Sequence, residues 1–196
     1  NTDVLIIQFA QDNFLSENGV VNDGLLATKL GLKGIPEIAE QIIIERDLRL
    51  LEQYKTKYHI ALISSKKSID LIKSAKEKGI KFTVGVSINN LSLNDNDIGD
   101  FRTFLKLSPP LRSEDDRLAL IQAVNDGIID VIVSDHKPED EEFKRLTFQQ
   151  ATTGASGIET LLPLALELVH NNHCDLNTVI KKLTSNPAKI LGVRNG

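Results

Sequence analysis

Apolar residues along the chain fall into short continuous runs that alternate with longer stretches of helical spacing. Val4 to Phe9 is apolar at every position but Gln8, the pattern of a central parallel strand buried on both faces. A loop bearing Asn18-Gly19 and Asn22-Asp23-Gly24 follows, and Pro36 then opens a helical pattern with Ile38, Ile42, Leu48 and Leu51 at its apolar positions, running to Tyr54. Tyr58 to Ile63 is the next strand, Ser68 to Lys78 a helix stopped by Gly79, and Lys81 to Ser87 a further strand. A polar loop from Asn89 to Asp100 leads to a short segment at Phe104 to Leu107 and then to Pro109-Pro110. A helix begins at Ser113 with Asp116 at the capping-box position and stops at Asn125-Asp126-Gly127. Ile128 to Val133 is the last strong strand, and from Phe143 onward the chain reads as helix with loops, Asn177 capping Thr178 to Leu183.

This βα alternation predicts an α/β fold, a parallel sheet with helices outside, either doubly wound or closed as a barrel. No G-x-G-x-x-G or P-loop turn follows the first strand, which weakens a dinucleotide-binding version. Four or five strands do not close a barrel by themselves, so the expectation is a partial barrel completed by residues absent from this sequence. The chain starts at Asn1 and contains no methionine, which predicts a piece of something longer.

Composition narrows the function classes. A 196-residue chain that is 41% hydrophobic and 26% charged is ordinary for a soluble globular domain. Its formal charge of −4, with Lys and Arg spread among Asp and Glu, gives no footprint for nucleic acid or an anionic membrane. No apolar run approaches the length of a membrane span and no basic-then-apolar leader opens the chain, so a cytoplasmic protein is expected. Cys174 stands alone and is read as structurally neutral.

In a barrel the chemistry sits where strands end. The first candidate is therefore Ser134-Asp135-His136, directly after the last strand, where a carboxylate can bind metal or accept a proton and an imidazole can donate a hydrogen bond. A carboxylate that merely caps the next turn is the competing reading.

Asp135-His136-Lys137-Pro138 resembles the D-H-A-P signature of dihydroorotases, and Ser108-Pro109-Pro110-Leu111-Arg112 their N-P-P-L-R. Gly154-Ala155-Ser156-Gly157-Ile158-Glu159-Thr160 is similar to G-x-x-G-x-E-T, and Asn186-Pro187-Ala188 with Ile190-Leu191-Gly192 to N-P-A-x-x-L-G. Tyr58-His59-Ile60 and Gln8-Phe9-Ala10-Gln11-Asp12 fall into the same register. The resemblance implies residues 1–196 of one partial domain, the second half (about strands 5 to 8) of a TIM-type (β/α)8 metallo-hydrolase barrel, with the first half and any small β domain outside this sequence. It also implies zinc as cofactor and carbamoyl aspartate or dihydroorotate as ligand, in pyrimidine biosynthesis. By the same resemblance Asp135 is the metal-binding, proton-shuttling carboxylate. His136, Ser108, Gly154 and Gly157 line the substrate pocket.

The departures bear on chemistry. The family's zinc histidines on strands 5 and 6 fall on Phe9 and Leu62, which cannot coordinate metal. The asparagine of N-P-P-L-R is Ser108, and P-H-H is Ile88-Asn89-Asn90. His59 is read as packed or capping, His170 and His173 as surface residues, and Arg112 either as a carboxylate-binding group or as a solvated turn residue. Three functional readings follow. One is an inactive dihydroorotase-like chain, zinc absent or reduced to one ion, that supports aspartate carbamoyltransferase in an oligomer. Another is an active single-zinc dihydroorotase or related cyclic-amide hydrolase. The third is an amidohydrolase with a different substrate.

Overall fold

A computed structural model of the protein describes residues 4–193. In chain order it contains β1 (Leu5–Gln8), β2 (Val21–Asn22), α1 (Leu25–Leu30), β3 (Gly34–Ile35), α2 (Ile38–Tyr54) and β4 (Lys57–Ile60). These are followed by α3 (Lys66–Glu77), β5 (Thr83–Ser87), α4 (Ile88–Ser92), α5 (Glu114–Asn125) and β6 (Val131–Val133). The chain continues with α6 (Glu141–Lys144), α7 (Ile158–His170), α8 (Leu176–Leu183) and α9 (Ser185–Leu191). A short 3-10 turn at Asp95–Ile98 breaks the segment expected as a polar loop and α4 takes up its start, while a second 3-10 turn at Thr103–Leu105 overlaps the short segment expected at Phe104 to Leu107.

β1, β4, β5 and β6 form one parallel sheet in that spatial order. Adjacency follows chain order without a reversal point, which is singly wound, barrel-type topology and not the doubly wound alternative. Tyr58, Ile60, Val84, Val86 and Ile132 point to the helical side and form the core with Ile43, Ile44, Leu48 and Leu51 of α2, Ile69 and Ile72 of α3, and Leu120, Ile121 and Val124 of α5. Each of the fully buried side chains contributes about 1.5–3 kcal/mol through removal of apolar surface from water. The opposite side carries His59 and Thr83, paired in register, then Gly85 and Ser87. Alternation along each strand separates the two sets.

β1 departs from the expectation. Ile6 and Ile7 are 47% and 53% exposed, because among the described residues β1 pairs with β4 alone. An apolar run reports what a strand can bury, and burial on both sides requires covering elements that the described residues do not supply.

Several helix starts follow capping chemistry, with one correction. Ser65 caps α3 by accepting the Ser68 N–H, starting the helix two residues before the expected Ser68, while Asp175, not Asn177, caps α8 by accepting the Thr178 N–H. In both, the capping oxygen sits three residues before the amide it accepts from; Ser68 and Asn177 already lie inside the first turn. Ser113 and Asp116 form the expected capping box of α5. Among the described residues, no helix is long and apolar enough to cross a membrane.

Candidate active site at the carboxyl ends of the strands

β6 ends at Val133, and Asp135 takes a left-handed backbone conformation, φ 48°, which Asp tolerates better than most residues. Its carboxyl is partly buried, and desolvation raises it to about 6 against the opposing pull of Lys137. Asp135 can therefore exchange a proton near neutral pH, as a proton carrier must.

His136 is oriented by the start of α7. Its Nδ1 accepts the Gly157 N–H at 3.0 Å and faces the Ile158 N–H at 3.4 Å. An acceptor Nδ1 places the ring proton on Nε2, so the exposed edge of the ring is a donor suited to a carbonyl or carboxylate oxygen.

The two glycines are explained by close approach. A Cβ on Gly157 would stand 2.3 Å from the Ser134 carbonyl oxygen, and one on Gly154, where φ is 142°, 2.5 Å from the Lys137 carbonyl oxygen. Only glycine lets the 154–157 segment lie against the turn after β6. Lys137 N–H donates to Ala155 O and Gly154 N–H to Lys106 O, both at 2.9 Å. Asp135, His136, Gly154 and Gly157 are thus brought together. Ser108, partly buried, stands two residues beyond the Lys106 carbonyl that anchors Gly154. The buried amines of Lys106 and Lys144 donate to the carbonyls of Gln149, Ala151, Thr103 and Thr152, tying the 103–106 stretch to 144–152. Burial lowers the pKa of both.

The expected metal positions differ from the expected substrate positions. Phe9 and Leu62 offer no donor atom, and among the described residues no group of three His, Cys, Asp or Glu could hold a metal ion. A catalytic zinc takes three protein ligands, of which the described residues offer Asp135 as a candidate and do not by themselves make up a site.

Other sequence candidates resolve differently. His59 is buried and its Nδ1 lies 2.8 Å from Thr83 Oγ1. Burial lowers its pKa, opposed by Asp130. It is a packed histidine, as expected. Arg112 is not a solvated turn residue: it is 3% exposed and donates from Nε to Ser64 Oγ at 3.0 Å and from Nη1 to Asn22 Oδ1 at 2.9 Å and Ile35 O at 2.7 Å. Glu40, Ser64, Asn22 and Asp95, the other members of this network, went unnoticed in the sequence, since residues up to 90 positions apart share no spacing signal. Asn89 and Asn90 are buried, with Asn90 Nδ2 donating to Pro110 O at 3.0 Å, while Asn89 Nδ2 and Asn90 Oδ1 have no partner.

Comparison with known structures gives the class. The fold is that of the hydantoinase and dihydropyrimidinase barrels: L-hydantoinase (dihydropyrimidinase) from Arthrobacter aurescens superposes with a TM-score of 0.85 at 22% identity, over 98% of this chain and 44% of that one. Dihydropyrimidinase from Brevibacillus agri NCHU1002 superposes with 0.83, also at 22% identity and over 98% and 44%. The chain has the fold of part of such a parallel α/β barrel.

Sequence gives the particular family. The model described as dihydro-orotase-like matches residues 1–68. A dihydroorotase of Anaplasma phagocytophilum (strain HZ) is 42% identical over 195 residues, 99% of this chain and 44% of the relative, and one of Acetivibrio thermocellus is 40% identical over 99% and 46%. The chain belongs to the dihydroorotase-like family and spans less than half the length of these curated relatives.

Proposed function

We propose that this chain forms the carboxyl-side part of a dihydroorotase-like barrel that keeps a substrate-facing surface and lacks a competent zinc centre. The observation that carries the reading is the contrast at one sheet end. Phe9 and Leu62 stand where the resemblance puts zinc histidines, whereas the turn after β6 and the Gly154–Gly157 segment are built to close tolerance. The role is then structural, in an oligomer that supports aspartate carbamoyltransferase in pyrimidine synthesis, in the cytoplasm and without nucleic acid or membrane. Carbamoyl aspartate or dihydroorotate is the ligand class, met by the His136 Nε2–H donor, Ser108 and the Gly154–Gly157 backbone.

The test is dihydroorotate hydrolysis by the intact gene product, with added zinc and with a chelator. Folded protein without turnover supports the reading; zinc-dependent turnover well above background sinks it. The place of Asp135 just past the end of β6 favours a second reading, an active enzyme with a single zinc held by Asp135 and by residues outside this sequence. In that case Asp135→Asn abolishes the zinc-dependent rate.

A further inference from the structure

Arg112 joins segments that leave three different strands. Asn22 and Ile35 belong to the connection after β1, Ser64 to the one after β4, and Asp95 and Arg112 to the one after β5. The buried guanidinium lies between two buried carboxylates, each one group away. The Ser64 hydroxyl bridges it to Glu40, and the Asn22 amide bridges it to Asp95 at 3.1 Å. Glu40 also accepts the Ser64 N–H at 3.0 Å and the Ser65 N–H at 3.3 Å, and the Arg112 carbonyl accepts the Asp95 N–H at 2.8 Å.

The apolar residues of these connections form a core separate from that under the helices. Val20, Val21, Ile98, Leu107 and Leu111 pack together with Phe148, which comes from the connection after β6. The carboxyl-end loops therefore have an apolar cluster and a buried polar centre of their own. The apolar cluster is separate from the core on the sheet's helical side, and the polar centre meets that side through Glu40 of α2.

We infer that Arg112 is a positioning residue that holds these connections as one cooperative cap and, through the cap, sets the place of Ser108 and of the Gly154–Gly157 segment. Ser108 lies four residues before Arg112 with the buried Leu111 between them, and Gly154 hangs from the Lys106 carbonyl on the same run of chain. A planar guanidinium reaches a hydroxyl, an amide oxygen and a main-chain carbonyl in fixed directions, which an ammonium or an apolar side chain does not. Buried charged groups of this kind add less to stability than to the choice of one arrangement. The inference needs neither turnover nor zinc, and it stands apart from the proposed substrate.

The experiment is hydrogen exchange on the intact gene product and on Arg112→Met, read peptide by peptide. Loss of three hydrogen bonds from a charged donor is expected to speed exchange about tenfold or more in residues 18–35 and 94–112, with α3 and α5 keeping their protection. Uniform loosening of both regions, or no change, overturns the inference. Should Arg112→Met fail to fold, Asn22→Ala removes one acceptor and leaves the Ser64 contact; a smaller rise in the same peptides is expected, and unchanged protection overturns the cap. The backbone amide NMR signals of Gly154 and Gly157, which do not touch Arg112, are expected to shift in the variant that folds. Unmoved signals overturn the link to the site.

Discussion

The helical side of the sheet and the cap of loops at its carboxyl end are both buried, but they are held by different forces. Beneath α2, α3 and α5 the contacts are almost wholly between aliphatic side chains, which attract without direction and in proportion to area. Its buried polar groups, among them the Tyr58 hydroxyl donating to the Asp47 carboxylate and Asp116 accepting the Lys66 N–H, are paired within it. The cap buries Glu40, Asn22, Ser64, Asp95 and Arg112, and there direction decides, since each group needs its partner at a set distance and angle. Apolar packing builds the scaffold; the oriented network places the loops that carry the candidate site.

The largest expected effect tests the scaffold. Ile72, fully buried among the helices, should cost about 2–5 kcal/mol as Ile72→Ala by chemical denaturation. A loss below about 1 kcal/mol would break the claim that this side is a close-packed core. Next comes Gly157→Ala, whose methyl would meet the Ser134 carbonyl at 2.3 Å. It should destabilise by about 1–3 kcal/mol through backbone displacement and shift the NMR signals of His136, while leaving α3 unmoved.

A third variant sharpens the comparison in the opposite direction. Asn89 Nδ2 is buried without a partner, so Asn89→Leu should raise stability by about 1 kcal/mol, whereas an unpaired donor is rare beneath the helices. A lower thermal midpoint would mean that the amide is paired in solution.

The smallest effect is electrostatic. The Asp135 carboxyl is raised by burial from 3.8 to about 6, so the folded state holds this proton more tightly than the unfolded chain does. The resulting stabilisation is fully present below pH 3.8 and is lost as pH rises through about 6. Asp135→Asn should remove that slope, and unfolding midpoints of the two proteins compared at about pH 4 and about pH 7 would show it. Partial solvent access makes the change modest.

The scaffold was largely legible in the sequence. Short continuous apolar runs and helical apolar spacing located β1, β4, β5, β6, α2, α3 and α5 within a few residues, because a local apolar pattern and the surface an element buries are closely linked. The Ser113 and Asp116 cap was legible for a similar reason, its partners being three residues apart. What escaped was shorter or longer in range: β2 and β3, two residues each, and the network around Arg112. Asp135 and His136 were found by position at a strand end, but nothing local announced that His136 is turned by the amides of Gly157 and Ile158.

By itself, then, the sequence determined the order of strands and helices, the apolar face of most of them, the family motifs and the presence of side chains without a metal donor at Phe9 and Leu62. All of these are properties of single residues or near neighbours. Only the tertiary structure decided that Arg112 is buried among internal acceptors, and that Gly154 and Gly157 are held to glycine by the carbonyls of Lys137 and Ser134. Those outcomes depend on which distant atoms come within hydrogen-bond or van der Waals range, and chain spacing carries no record of that.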